Sequence, residues 1–211
     1  PKDVDIVWRC VAQHLLDFQE ADGPEGKVRI APEDEEETPP WLSNYDGSFK
    51  AKARGWGYSA FTDGGKAYGS MTSCGIGTLL IARSEIPDLT PAEKKRIDGA
   101  IQSGVAWMAE NYNLEKNPQA DKFTWWLPKE SDYYALYGVE RTGVLAGIRK
   151  IDDHDWYLEG GAILVKAQKP DGSWPAGGSA ETASVRTAFA LLFLAKATSA
   201  EYVRPYLVGG E

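Results

Sequence analysis

At 211 residues, 43% of them hydrophobic and 11% aromatic, the chain has material for one large domain or a piece of a larger protein. Its net charge of −8 repels phosphate backbones and excludes nucleic acid as an expected partner. No run of about 18 apolar residues occurs, so no membrane span is expected. Cys10 and Cys74 fit neither a disulfide framework nor a zinc spacing. The sequence starts at Pro1 without a secretory leader pattern, reads as a processed chain or a fragment, and names no compartment.

Six helical patterns follow in order. The first, residues 4–19, is amphipathic, with Val4, Val7, Val11, Leu15 and Phe18 at helical spacing. Residues 23–54 read as an exposed acidic insertion around "EDEEETPP", without the glycine-spaced ligands of a calcium loop. The second helix, residues 70–83, "SMTSCGIGTLLIAR", is small or apolar nearly all round. The third opens at Thr90, with Pro91 at the first position and Glu93 completing a capping box. The fourth, residues 132–148, is broad and aromatic. The fifth, residues 155–168, is expected to turn Leu158, Ala162 and Val165 inward. The sixth, residues 181–197, has no charged or hydrogen-bonding side chain from 188 to 195. A helix apolar all round needs cover on every side, so this alternation predicts two layers, one shielding the other.

Internal repetition agrees. "MTSCGIGTLLIA" aligns on "ETASVRTAFALL" with Thr72 on Thr182, and Arg141–Thr142 matches Arg186–Thr187. A tryptophan precedes each apolar helix: Trp56, then Trp125 or Trp126, then Trp174. Two-helix repeats of about 40 to 50 residues predict stacked hairpins.

"GAILVKAQKPDGSW" closely resembles the Gln–Trp repeat of the squalene–hopene and oxidosqualene cyclases, with Gly160, Leu164, Gln168, Gly172 and Trp174 in register. Glu159 stands where that motif has a basic residue, and Ile163 where it has an aromatic residue or Leu. A fainter copy lies in "HLLDFQEADG", with Gln19 and Gly23, its tryptophan displaced to "RGWGY". The resemblance, to an uncharacterised bacterial member of the prenyltransferase/squalene-cyclase repeat proteins, covers most of the chain apart from the acidic stretch. It implies an all-α fold: two-layer α/α hairpin repeats of the α/α-toroid type, in a single domain spanning residues 1–211. Three hairpins where the family closes a ring of about six repeats imply a partial toroid. It would be the C-terminal part of a longer protein, completed by a missing N-terminal half or by a second subunit.

Four constellations can carry chemistry. "IDDHDW" places Asp152, Asp153 and Asp155 near one another, but in an order that departs from the family's Asp-x-Asp-Asp proton donor, and helix capping accounts for them. No metal set is complete: neither cysteine follows an aspartate at the prenyltransferase spacing, and His14 and His154 alone make no site. No cofactor is implied. Cys74, inside an apolar helix, is expected to be a buried, unreactive thiol, and His14 a packed or rim histidine. Trp56, Tyr58, Trp125, Trp126, Tyr133, Tyr134, Tyr137 and Trp174 gather at the starts of the apolar helices, which in a toroid rim the central hollow, either as packing or as a ligand-binding wall. Glu140, Arg141, Glu181 and Arg186 read as buried Glu–Arg pairs bridging repeats. The expected function is therefore a repeat domain binding an apolar or isoprenoid molecule. The alternatives are a non-catalytic protein-interaction module and a carbohydrate-active domain using its aromatic rim and acids such as Asp132 or Glu140.

Overall fold

The computed structural model of the chain describes residues 2–34, 38–43, 45–58, 65–120, 132–177 and 181–196. Among them six helices alternate with four short strands. Helix α1 (Lys2–Phe18) leads into β1 (Glu25–Pro32) and β2 (Ser48–Lys52), followed by α2 (Gly69–Glu85) and α3 (Pro91–Glu110). Helix α4 (Asp132–Ala146) is followed by β3 (Ile148–Ile151), β4 (His154–Asp155), α5 (Trp156–Ala167) and α6 (Ala183–Leu194). Every expected helix is present.

The all-α expectation is nevertheless overturned. The strands form a four-stranded antiparallel sheet in the order β2-β1-β3-β4, so the chain is mixed α/β. Half of this sheet comes from residues 23–54, expected as an exposed loop. Val28 and Ile30 point into the core and alternate with exposed Lys27 and Arg29, a period of two that buries one face of a strand. Pairing of Ile30 with Ile151 and of Ala31 with Lys150 fastens this hairpin to the stretch after α4.

Helix α2 packs against α1, α3 and α4, and α4 packs in turn against α5 and α6. The sheet wedges beside this stack, β1 and β2 against α3, and β3 against α4 and α5. One core joins Ile76 and Leu79 of α2, Ile101 and Val105 of α3, Trp41, Trp56 and the inward residues of the sheet. A second joins Leu136, Trp156, Leu164, Trp174 and Phe193. Val139 of α4 touches both.

The small residues of the inner helices admit these indoles. A Cβ added at Gly75 would lie 2.5 Å from the Trp56 ring, and one at Gly143 would lie 2.3 Å from Trp156. Thr90, Pro91 and Glu93 form the anticipated capping box.

Two packing expectations fail. On α5 the inward residues are Trp156, Gly160 and Leu164, whereas Leu158 and Val165 are 67% and 65% exposed and Ala162 is exposed too. Helix α6 is not covered all round: Ala190 and Phe193 are buried, while Leu191 is 55% exposed. In both helices the large rings set the inward face, because an aromatic side chain removes more area from water than a Leu or Val at a competing position.

The Gln–Trp turns are structural joints. The Trp174 indole N–H donates to the Leu164 carbonyl at 2.8 Å, and the Trp56 indole to the Leu15 carbonyl at 2.8 Å. Leu164 and Leu15 each stand four residues before the motif glutamine. The backbone N–H of Trp174 donates to the Thr187 hydroxyl, and that of Trp56 to the Thr72 hydroxyl. The repeat register therefore sets Thr72 on Thr187, five residues from the alignment on Thr182.

The glutamines differ. Gln19 is buried and its amide donates to the Arg54 and Ala100 carbonyls, both at 2.9 Å. Gln168 is exposed and closes its own turn on the Gly172 carbonyl. Replacing Trp174 by Phe strands the Leu164 carbonyl while keeping most of the apolar ring. A loss of about 1–3 kcal/mol in urea unfolding is expected, and an unchanged midpoint would refute the joint.

Candidate functional site

The predicted aromatic wall divides into two groups. Trp56, Trp174 and Tyr133 are buried at 3%, 1% and 7% exposure and belong to the cores and joints. Tyr134 and Tyr137 are half-buried and Tyr58 is 61% exposed. Trp125 and Trp126 lie outside the described residues.

Tyr134, Tyr137 and Arg141 fall at i, i+3 and i+7 of α4, which places them on one face. Phe189 of α6 closes on this face from the next helix, its ring centre 5.6 Å from that of Tyr134 and 5.7 Å from that of Tyr137. From the other side comes Cys74 of α2, whose Sγ lies 3.4 Å from the Tyr134 hydroxyl. The thiol is exposed, contrary to the buried cysteine expected from its apolar helix. Its neighbours on that turn, Ser73 and Gly75, are the ones turned inward.

Cys74 also lines a cleft of about 360 Å³ between α1, α2 and the Trp56 turn, together with His14, Phe18, Trp56, Tyr58 and Met71. The cleft and the α4–α6 face thus meet at one thiol. Together they make a strip of aromatic carbon and sulfur running across α1, α2, α4 and α6.

Arg141 is the cation on this strip. Its guanidinium sits 5.9 Å from the Tyr137 ring centre and donates to the Tyr137 hydroxyl at 3.5 Å, which is a long contact. Helix α4 turns Glu140 fully into the interior and Arg141 toward the open face, so Arg141 takes no part in the expected buried Glu–Arg pair between repeats. Burial pushes the Tyr134 phenol up to about 12, the hydrogen bond shared with Cys74 adds to this, and the Arg141 charge opposes it.

A Glu–Arg pair does form within one repeat, between Glu181 and Arg186, and acts as a brace. Glu181 accepts from Arg186 at 2.9 Å and from the backbone N–H of Tyr134 at 2.9 Å, so its carboxylate caps the start of α4. Arg186 also faces Asp132 at 3.6 Å and lies 4.5 Å above the Tyr133 ring.

The aspartate cluster is accounted for by the sheet and by a cap. Asp152 occupies a turn with φ 51°, where its backbone N–H donates to the Arg29 carbonyl at 2.7 Å and its carboxylate accepts from the Arg29 N–H at 2.9 Å. Asp153 pairs with the Arg29 guanidinium at 2.9 Å. Asp155 caps α5 by accepting from Leu158 N–H at 3.1 Å. His154 stacks on Tyr112, with ring centres 4.0 Å apart, and meets Glu159 at 3.2 Å.

Among the described residues, no group of three His, Cys, Asp or Glu side chains is placed to hold a metal ion, and no helix is long and apolar enough to cross a membrane. Phe189, Cys74, Met71 and Arg141 were not anticipated as site residues. The signal for Arg141 was present, in the helical spacing from Tyr134 and Tyr137. The approach of Phe189 depends on how α6 packs, which one helix's periodicity does not reveal. No family model, curated protein or solved structure matches the chain.

Two measurements probe these assignments. Asp155→Ala should cost about 1 kcal/mol of stability, as loss of an N-cap does, with the α4–α6 face intact by near-ultraviolet circular dichroism. A loss of near-ultraviolet signal in the folded protein would refute a purely capping role. At alkaline pH, the 295 nm absorbance difference between wild type and Tyr134→Phe should titrate with a midpoint near 12, not at the ordinary phenol value of about 10. Because the folded state holds this proton more tightly than the unfolded chain, the phenol's contribution to stability is complete below pH 10 and is lost as pH rises through the folded value. A midpoint near 10 would mean the phenol is open to water.

Proposed function

We propose that this chain is a squalene-cyclase/prenyltransferase-like repeat domain that binds an apolar or isoprenoid molecule along the strip from the Phe18–Met71 cleft to Tyr137. One observation carries this reading: Phe189 stands against both Tyr134 and Tyr137, and Cys74 joins that aromatic group to the cleft. Aromatic faces and sulfur offer large, polarisable contact area with few hydrogen-bonding demands. Such a lining suits hydrocarbon better than a polar substrate, and the cleft volume lies within the range of small-molecule sites.

The likeness to Gln–Trp repeat proteins is supported by the twice-repeated bond from an indole to the carbonyl four residues before the glutamine. Catalysis is not part of the proposal. The carboxylates of Asp152, Asp153 and Asp155 are held by Arg29 and by the α5 backbone, away from the strip.

Farnesol is a direct probe. Isothermal titration calorimetry of the wild-type chain should give saturable one-site binding. Phe189→Ala should weaken it by about tenfold or more, the usual cost of truncating a central aromatic contact. Absence of saturable binding by wild type, or a Phe189→Ala variant that binds as wild type does, would overturn the reading.

A further inference from the structure

The apolar strip has one charged side chain on its open face that no carboxylate neutralises. Arg141 makes no ion pair with a described carboxylate, although the chain carries 31 acidic residues and a net charge of −8. Among the other half-buried arginines, Arg9 pairs with Asp5, Asp88 and Glu93, Arg83 with Asp98, and Arg186 with Glu181 and Asp132, while Arg54 donates to the Ser103 hydroxyl. A half-buried guanidinium left without an anion bears a desolvation cost that a bound anion would offset.

Its surroundings favour the same chemistry. The Tyr137 hydroxyl accepts from Arg141, so its own proton remains available for a further acceptor. The Arg141 charge also acts on the Tyr134 phenol, which burial holds in its protonated, donating form. The Arg141 guanidinium and the Tyr137 hydroxyl therefore stand together at one end of the aromatic strip, with no described carboxylate paired to the guanidinium.

We infer that the ligand of this strip is an anionic amphiphile. Its hydrocarbon lies on Phe189, Tyr134, Cys74 and the cleft, and its carboxylate or phosphate head is held by Arg141 and the Tyr137 hydroxyl. This inference rests on the apolar-ligand reading and adds the head group to it. A planar guanidinium can offer two parallel N–H donors to a carboxylate or phosphate, and bonds of this charge-assisted kind are about twice as strong as neutral ones.

The test uses three compounds with the same tail: farnesol, farnesoate and farnesyl monophosphate, each titrated into the wild-type chain below its aggregation concentration. Both anions are expected to bind about tenfold or more tightly than the alcohol. The preference should shrink with added salt and vanish in Arg141→Met, which keeps the length and the apolar stem. Tyr137→Phe should reduce the preference in part. Tighter binding of the monophosphate than of farnesoate, or the reverse, identifies which anion the site takes.

Equal affinity for the alcohol and both anions would overturn the head-group inference and leave the apolar strip standing. A preference that survives in Arg141→Met would remove Arg141 as the anchor and overturn it too. If none of the three compounds bound, the strip itself would fail as a ligand site, and the head-group inference with it.

Discussion

The bond from a tryptophan indole to an open carbonyl near the C-terminal end of an outer helix is the joint on which this structure depends. The last carbonyls of a helix have no partner within it, and burying them bare is costly. Trp174 donates to the Leu164 carbonyl, and Trp56 adds a second donor to the Leu15 carbonyl, which also accepts from the Gln19 backbone N–H, at the same offset from Gln168 and Gln19. Trp156 donates to Ile148, the first residue of β3, and Trp41 to Ala146, the last of α4, at 2.7 and 2.9 Å. In each case one side chain fills the core with its ring and satisfies a backbone group with its N–H, which fixes both where the chain returns and how deeply it is set. A Phe or Leu could fill the space but would not supply the donor.

The opposite ends of the inner helices meet their needs with charge. Asn117 accepts from Ser70 at the start of α2 and in turn donates its backbone N–H to Asp132 at the start of α4. Arg186 of α6 binds Asp132 and Glu181, and Glu181 accepts from the first turn of α4. The three inner helices are thereby tied at their N-terminal ends by one connected set of polar groups. Because these carboxylates are committed to helix starts, the acids most tempting as catalysts are structural members, and the open face is left to Tyr134, Tyr137, Cys74 and Arg141.

The helices were legible because a period of 3.6 survives even where the inward face is misjudged. The sheet was not, because its strands are short and lie within stretches with a stronger competing signal. The alternation of Lys27, Val28, Arg29 and Ile30 is a strand pattern only four residues long, beside a run of acids that reads as loop. Ile148 to Ile151 continues the apolar run of α4, and only its pairing with β1 makes it a strand. The site was half legible. Residue type marked the aromatics, but the choice between core and open face was made by the hydrogen-bonding handle. The indoles of Trp56 and Trp174 sought buried carbonyls and left the surface, while the tyrosines of α4 kept one edge in water. Cys74 was misread because an apolar helix was assumed to be enclosed, and α2 is not.

The same reasoning distinguishes the two apolar surfaces that remain open. The strip on α2, α4 and α6 is aromatic, holds polar atoms at defined places and meets a cleft, so it can orient a small molecule. The surface carrying Leu158 and Val165 on α5 and Leu191 and Leu192 on α6 is aliphatic. Leu158 and Val165 stand seven residues apart, two turns along one face of α5. Within the chain α4 has a neighbour in α6, which brings Phe189 onto it. No described element plays that part for α6. The strip on α2, α4 and α6 differs: its helices are tied at their N-terminal ends by Asn117, Asp132, Glu181 and Arg186, which hold Tyr134, Tyr137, Cys74 and Phe189 in place.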